Sequence, residues 1–139
     1  MITQDAQVLL SKPYAEISYD AANKIIIAQW KGFLTLDQVK EGCKAMDEVI
    51  EKNKITKHLS DHSQLKVLSK DVQAFITGEW FARVDGLGIR KIAIKVAENV
   101  FAQATVQSTL KDKNTEQKVG NMTVETFGSY QAAYEWLEN

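Results

Sequence analysis

The feature that most constrains the fold is the segment over residues 24–30, in which Ile25, Ile26 and Ile27 follow one another. Successive side chains of a strand point to opposite faces, so a strand with this sequence is apolar on both faces. Such a strand needs cover on both sides, as central strands of α/β sheets have. Residues 14–19 alternate large with small or polar side chains, and the turn residues that follow them predict a β-hairpin with the isoleucine strand.

A helix is expected directly after this hairpin. Thr35 stands three residues before Gln38, the spacing of a capping box in which both side chains satisfy free N–H groups. An apolar stripe at spacings of three and four ends near Asn53. Its members are Leu36, Val39, Cys43, Met46 and Ile50. Residues 55–61 then predict a short strand that lies parallel to the previous one after a helical crossover.

The next segment repeats the alternation of helix and strand. Ser69 is the expected N-cap of a second helix, which should end at Gly86 and Gly88 because glycine accepts the left-handed cap conformation. Residues 90–96 alternate apolar with polar side chains and predict another strand. The inner stripe of the second helix contains Val72, Phe75, Ile76, Trp80 and Val84.

The last third of the chain completes the pattern. Asn99 is expected to cap a third helix over residues 100–110, and the polar residues 111–118 predict a mobile loop. A strand over residues 122–127 and a final helix capped by Ser129 follow. The order ββαβαβαβα indicates one α/β sheet, mixed and mostly parallel, with helices packed on it.

Size and charge narrow the functional classes. A chain of 139 residues predicts a single domain over residues 1–139, with residues 1–13 as an N-terminal extension. A net charge of −1 gives no long-range attraction to nucleic acid. The one cysteine excludes an internal disulfide, and the longest aliphatic run, residues 25–28, is far too short for membrane insertion. We expect a cytoplasmic protein that binds no nucleic acid and does not enter the membrane.

Short motifs accompany this order of elements. They are Trp-Lys-Gly after the second strand, Glu-Trp-Phe late in the second helix, Arg-Lys-Ile-Ala at the third parallel strand, and Thr-Phe-Gly-Ser before a terminal Tyr-Glu-Trp-Leu helix. Over residues 14–139 the chain resembles the SpoIIAA-like group of bacterial proteins. That group is similar to STAS domains and shares its architecture with CRAL-TRIO lipid-transfer domains. The resemblance implies a single SpoIIAA-like domain, without enzymatic activity or a cofactor, that binds proteins, nucleotides or apolar ligands.

The resemblance also draws attention to Ser69. In anti-sigma-factor antagonists a regulatory phosphoserine lies beside an aspartate in an Asp-Ser-Ser/Thr-Gly pattern. Ser69 falls at the position of that serine, but Leu68 replaces the aspartate and Lys70-Asp71 replaces the next two residues. We therefore expect Ser69 to cap a helix rather than to be phosphorylated.

Groups capable of chemistry cluster in residues 58–63. His58 and His62 share a strand face and could meet one metal ion with Asp61, but the chain has no third histidine. A hydrolytic triad from Ser60 or Ser63, Asp61 and a histidine would need adjacent side chains to meet, whereas adjacent side chains of a strand point apart. We interpret the segment as polar residues at a strand end, with no metal site and no catalytic residue.

A ligand of an open α/β sheet is expected beyond the carboxyl ends of the parallel strands, where helix N-termini converge. In this sequence those ends are followed by apolar side chains and by side chains that form hydrogen bonds. This mixture suits a small amphipathic ligand. The candidate ligand-binding residues are Phe33, Leu34, Asp61, His62, Ser63 and Asn99.

Two neighbouring aromatic residues suggest an interface. Trp80 and Phe81 are about 100° apart on a helix, so both cannot face fully inward, and one of them could contact a second copy of the chain. Cys43, within an apolar stripe, is expected in the core. The leading hypothesis is a regulatory or binding module that acts through protein–protein contacts as a homodimer. The alternatives are a small carrier of an apolar or amphipathic ligand and, last, a hydrolase that uses the segment from His58 to His62.

Overall fold

The computed structural model describes residues 6–66, 68–97 and 116–139, which form one seven-stranded sheet with helices on both faces. The strands are β1 (Ala6–Lys12), β2 (Ala15–Asp20), β3 (Ile25–Gly32), β4 (Lys57–Leu65), β5 (Lys91–Lys95), β6 (Gln117–Val119) and β7 (Met122–Phe127). The helices are α1 (Leu36–Asn53), α2 (Lys70–Ala74), a π-helical segment (Phe75–Trp80), α3 (Phe81–Leu87) and α4 (Tyr130–Glu138). No helix in these ranges is long and apolar enough to cross a membrane.

The sheet is mixed, as the sequence predicts. Its strand order is β1-β2-β3-β4-β5-β7-β6, and the four strands β3, β4, β5 and β7 are parallel. Strands β1 and β2 pair antiparallel at one edge, and β6 pairs antiparallel with β7 at the other. The α/β class and the parallel centre of the sheet are therefore confirmed.

Two edge strands were missed by the sequence prediction. Residues 1–13 are not merely an extension, because Ala6–Lys12 forms β1. A bulge between Val8 and Leu10 breaks the alternation of its side chains, which is why periodicity alone does not reveal this strand. Gln117 and Lys118 belong to β6 rather than to a loop. The predicted helix over residues 100–110 and its cap Asn99 lie outside the described residues.

The apolar strand β3 is covered on both faces. On one face Ile25 and Ile27 join a cluster under α4. On the other face Ile26, Ala28 and Trp30 pack in the larger cluster with α1 and the second helix. The second helix is the contiguous run of α2, the π-helical segment and α3. The prediction of a two-sided central strand is confirmed. The cluster under α4 is completed by Leu59, Ala93, Ala133 and Leu137.

The first helix begins and packs as predicted. In the capping box of α1 the Thr35 N–H donates to the Gln38 side chain at 3.0 Å, and the Gln38 N–H donates to the Thr35 hydroxyl at 3.2 Å. Gly42 faces the sheet, where a Cβ atom would lie 2.6 Å from Cη2 of Trp30. Any larger residue would force α1 or the indole ring to move, so glycine allows the helix to lie close to the sheet.

The second helix contains a π-helical turn that the sequence analysis did not identify. The Phe81 N–H donates to the carbonyl of Ile76, five residues earlier. The apolar positions Ile76, Trp80 and Val84 recur every four residues, whereas an α-helical turn takes 3.6 residues. The wider π turn offsets this drift and keeps the apolar side chains on the inner face. The helix ends at Gly88, with φ of 111°.

The two helix starts differ in how they are capped, which leads to a first prediction. Ser69 is at the N-cap as predicted, but its hydroxyl donates to the Asp71 carboxylate and accepts no helix N–H. Thr35→Ala breaks a complete capping box and should cost about 1 to 2 kcal/mol, whereas Ser69→Ala should cost about 0.5 kcal/mol or less. Urea unfolding of the two variants measures both costs. Equal losses of stability would contradict the assigned roles.

Candidate functional site

A cavity of about 340 Å³ lies between the sheet and the helices on the α1 side. Strands supply one wall, and α1 and the second helix supply the other. The described residues that line it include no Lys, Arg, Asp or Glu side chain. Its apolar lining includes Trp30, Leu34, Val39, Met46, Ile92 and Trp80.

The polar part of the cavity wall comes from alternate residues of β4. His58, Ser60 and His62 all line the cavity because side chains two residues apart in a strand share a face. The Oγ atom of Ser60 lies 2.8 Å from Nε2 of His62, within hydrogen-bond distance. One row of three polar side chains therefore crosses a mostly apolar wall.

His58 is held in place from two sides. Its Nδ1 atom lies 3.0 Å from the carbonyl oxygen of Ile26 on the neighbouring strand. Its ring meets the Trp80 indole edge to face, with 5.4 Å between the ring centres. The indole is itself fixed, because its Nε1 donates to the carboxylate of Asp47 at 2.9 Å. Asp47 also pairs with Arg83 at 2.8 Å, so the helix that carries Trp80 is tied to α1.

Burial sets the charge states of the cavity wall. It lowers the pKa of His58 to about 4 and that of His62 to about 4, because the charged imidazolium would lose its hydration. Both rings are therefore neutral at pH 7. Burial, together with the nearby Asp47 carboxylate, raises the pKa of the Cys43 thiol far above its usual range. Cys43 is therefore a protonated thiol in the cavity wall. Its burial confirms the prediction that Cys43 belongs to the core.

The cavity reaches the surface beside the second helix. Gln73, Ala74 and Thr77 line the cavity and are also exposed to solvent. Gln117 of β6 combines the same two properties. Among the described residues, these four therefore mark the rim of the cavity.

Asp61 and Ser63 belong to a different cluster, on the α4 side of the sheet. The Tyr130 hydroxyl donates to Asp61 at 2.6 Å and accepts from the Gln29 amide at 3.1 Å. The Ser63 N–H donates to Asp61 at 2.9 Å, and Lys95 donates to the Ser63 hydroxyl at 2.8 Å. Burial alone would raise the pKa of Asp61, but the hydrogen bonds from Tyr130 and Ser63 hold it below its usual value. This network anchors the start of α4 to the sheet.

The structure divides the predicted ligand-binding residues. Leu34 and His62 both line the cavity. Asp61 and Ser63 do not join them, because adjacent strand residues point to opposite faces. Phe33 is 74% exposed and does not line the cavity. Asn99 lies outside the described residues. Of the six predicted residues, the cavity brings together Leu34 and His62, and a ligand site that contains them stays a prediction.

The sequence placed His58 and His62 on one strand face, but His58 and Ser60 were considered only for metal or hydrolytic sites and not as part of a ligand-binding wall. The two-residue spacing of these polar positions was a usable signal. In the described part of the chain, no three His, Cys, Asp or Glu side chains lie together in a group suited to a metal ion.

The assignment of Trp80 to an interface between subunits was wrong. Trp80 is 4% exposed and packs against His58, so its ring is not available at the surface. Phe81 is half-buried and lines the cavity. Both neighbouring aromatic residues line the cavity, with 6.2 Å between their ring centres.

The neutral histidines predict how stability depends on pH. A histidine in the unfolded chain has a pKa of about 6.5. Between about pH 6.5 and 4 the unfolded chain therefore binds protons that the folded chain does not bind. The free energy of unfolding should therefore fall as pH falls through this window, with a loss of about 3 kcal/mol from His58 alone. Urea unfolding at several pH values, for the wild type and for His58→Gln, tests this. The variant should show a shallower dependence, and identical pH dependence in both proteins would contradict the assignment.

Comparisons with known proteins identify the fold. No protein-family model matches the chain, and no curated protein matches it. A solved structure of an uncharacterized protein of the DUF3478 family with a SpoIIAA-like fold, from Shewanella loihica PV-4, superposes with a TM-score of 0.59. The match covers 99% of this chain and 98% of that one at 15% sequence identity. The chain therefore has a SpoIIAA-like fold, as its sequence motifs indicate.

Proposed function

We propose that the protein is a non-catalytic binding protein that holds a small, mostly apolar molecule in the cavity between the sheet and the second helix. The observation that carries this proposal is the cavity itself. Its volume of about 340 Å³ lies within the range of small-molecule sites, which are mostly apolar with a few precisely placed polar groups. The row from His58 to His62 supplies such polar groups on one wall only.

The arrangement of Ser60 and His62 argues against hydrolysis. The two side chains are close enough for a nucleophile and its base, at 2.8 Å. A histidine with a pKa of about 4, however, is a weak base at neutral pH. Among the described residues no carboxylate orients its ring, because the Asp61 side chain bonds to Tyr130 on the other face. The pair therefore supports binding better than catalysis.

A second candidate function is a regulatory module that acts through protein contacts, including contacts with a second copy of the chain. Two large hydrophobic side chains are exposed in the described ranges, Phe33 at 74% and Val8 at 55%. Val8 lies on β1, which is an edge strand of the sheet formed by the described residues, and an edge strand can pair with a strand of another chain. For either function we propose that nucleic acid is not a partner, since the net charge is −1. We also propose a cytoplasmic location, which suits a chain with a single cysteine.

Native mass spectrometry of the protein purified from its own cells separates the two candidates. We expect a single chain with an additional small-molecule mass that is released on denaturation. Ala74→Trp places a large ring on the rim of the cavity and should reduce the bound fraction at least about 10-fold, since overfilling a site excludes its ligand. Ala82→Trp is the matched control, because Ala82 is an exposed helical alanine that does not line the cavity.

The control should retain the small molecule at the wild-type level. A wild-type protein without added small-molecule mass, but with a second chain bound, would reject the carrier function and favour the protein-contact module. Equal retention in both tryptophan variants would show that the bound molecule does not occupy this cavity.

A further inference from the structure

The hydrogen bond between His58 and Ile26 fixes which ring nitrogen carries the proton. A carbonyl oxygen can only accept a hydrogen bond, so Nδ1 of His58 must be the donor over the 3.0 Å contact. The ring is neutral at pH 7, because burial lowers its pKa to about 4. A neutral imidazole protonated at Nδ1 has an unprotonated Nε2. His58 therefore presents an acceptor and not a donor.

This acceptor has no hydrogen-bond partner in the described part of the chain. Among the described residues, the hydrogen bond of the His58 side chain is the one to Ile26, and Nε2 has no partner. The neighbouring polar groups on the wall, Ser60 and His62, are already hydrogen-bonded to each other. The fully buried side-chain polar atoms without a partner in the described ranges are Ser18 Oγ and Tyr134 Oη, so Nε2 of His58 keeps accessible surface, and His58 lines the cavity. A ligand that covers this acceptor without supplying a donor would leave it unpaired, which favours a ligand that donates a hydrogen bond here.

The charge of the cavity restricts the ligand further. The described lining residues include no acidic or basic side chain, and both histidines are neutral. A carboxylate or ammonium group on the ligand would lose its hydration without gaining an opposite charge, which costs several kcal/mol or more. Neutral ligands avoid this cost.

On the basis of the function proposed above, we propose that the ligand is an uncharged molecule with an apolar body whose hydroxyl or amide N–H donates a hydrogen bond to Nε2 of His58. The apolar body lies against Trp30, Met46 and Ile92. This assigns His58 as the residue that selects the ligand's polar group, and it excludes fatty acids in their ionised form and organic cations from the site.

Three probes with one ring system test this selection. They are 2-naphthol, which is neutral and carries a donor; 2-methoxynaphthalene, which is neutral and lacks the donor; and 2-naphthoate, which is an anion. Titration calorimetry at pH 7 should give 2-naphthol an affinity about 3- to 10-fold higher than 2-methoxynaphthalene, the range expected for one net hydrogen bond. We expect 2-naphthoate to bind at least 10-fold more weakly than 2-naphthol. Loss of 2-naphthol binding in Ala74→Trp, with binding retained in Ala82→Trp, would locate the probe in the cavity.

A variant cycle assigns the preference to His58. In His58→Phe the preference for 2-naphthol over 2-methoxynaphthalene should disappear, because the aromatic ring remains but its acceptor is lost. Tyr130→Phe is the matched control, since it also removes a partly buried hydrogen bond from the sheet, but on the face away from the cavity. It should retain the wild-type preference. If His58→Phe does not fold, ¹⁵N NMR of the wild-type ring should show Nε2 unprotonated and perturbed by 2-naphthol.

The outcomes separate the inference from the function on which it rests. Failure of all three probes to bind would overturn both. Binding of 2-methoxynaphthalene as tightly as 2-naphthol, or tighter binding of 2-naphthoate, would overturn the assignment of a neutral donor but leave a binding cavity in place. A protonated Nε2 in the NMR spectrum, or a preference that survives in His58→Phe, would overturn the role of His58.

Discussion

The need to cover both faces of the central strands governs this molecule. Because β3 carries isoleucines on each face, helices must pack on both sides of the sheet, and its parallel neighbour β4 is enclosed in the same way. This enclosure determines the charge state and the hydrogen bonding of the polar residues of β4. An exposed His58 would be an ordinary surface histidine, whereas the enclosed one is neutral, has a fixed tautomer and faces a cavity.

The period of two in a strand sorts the residues of β4 into separate systems. His58, Ser60 and His62 face the cavity, whereas Asp61 and Ser63 take part in a network with Tyr130. The network is closed, since each of its hydrogen bonds joins groups of the protein itself, and it serves to fix α4. In the row of His58, Ser60 and His62, by contrast, Nε2 of His58 has no hydrogen-bond partner among the described residues. A mostly apolar wall with a few placed polar groups is typical of small-molecule sites.

Most of the fold was predictable from sequence because its signals are local. The capping box at Thr35, the isoleucine strand and the final helix after Ser129 depend on residues that are near one another in the chain. The edge strands were not predictable in this way. Strand β1 contains a bulge, and β6 has three residues, so neither presents a full period of alternation. Their existence depends on pairing with β2 and β7, which only the folded sheet provides.

The candidate site was predictable only in part, because a cavity is a property of volume rather than of sequence period. The rule that ligands bind beyond the carboxyl ends of parallel strands pointed to Leu34 and His62, and both line the cavity. The same rule also pointed to Phe33, which is exposed and does not line it. Whether a space remains between layers depends on close contacts of particular side chains. Gly42 brings α1 against Trp30, while the π turn sets Trp80 against His58. Each contact joins residues at least ten positions apart, so the volume they leave between them follows from their packing and has no local signature in the chain.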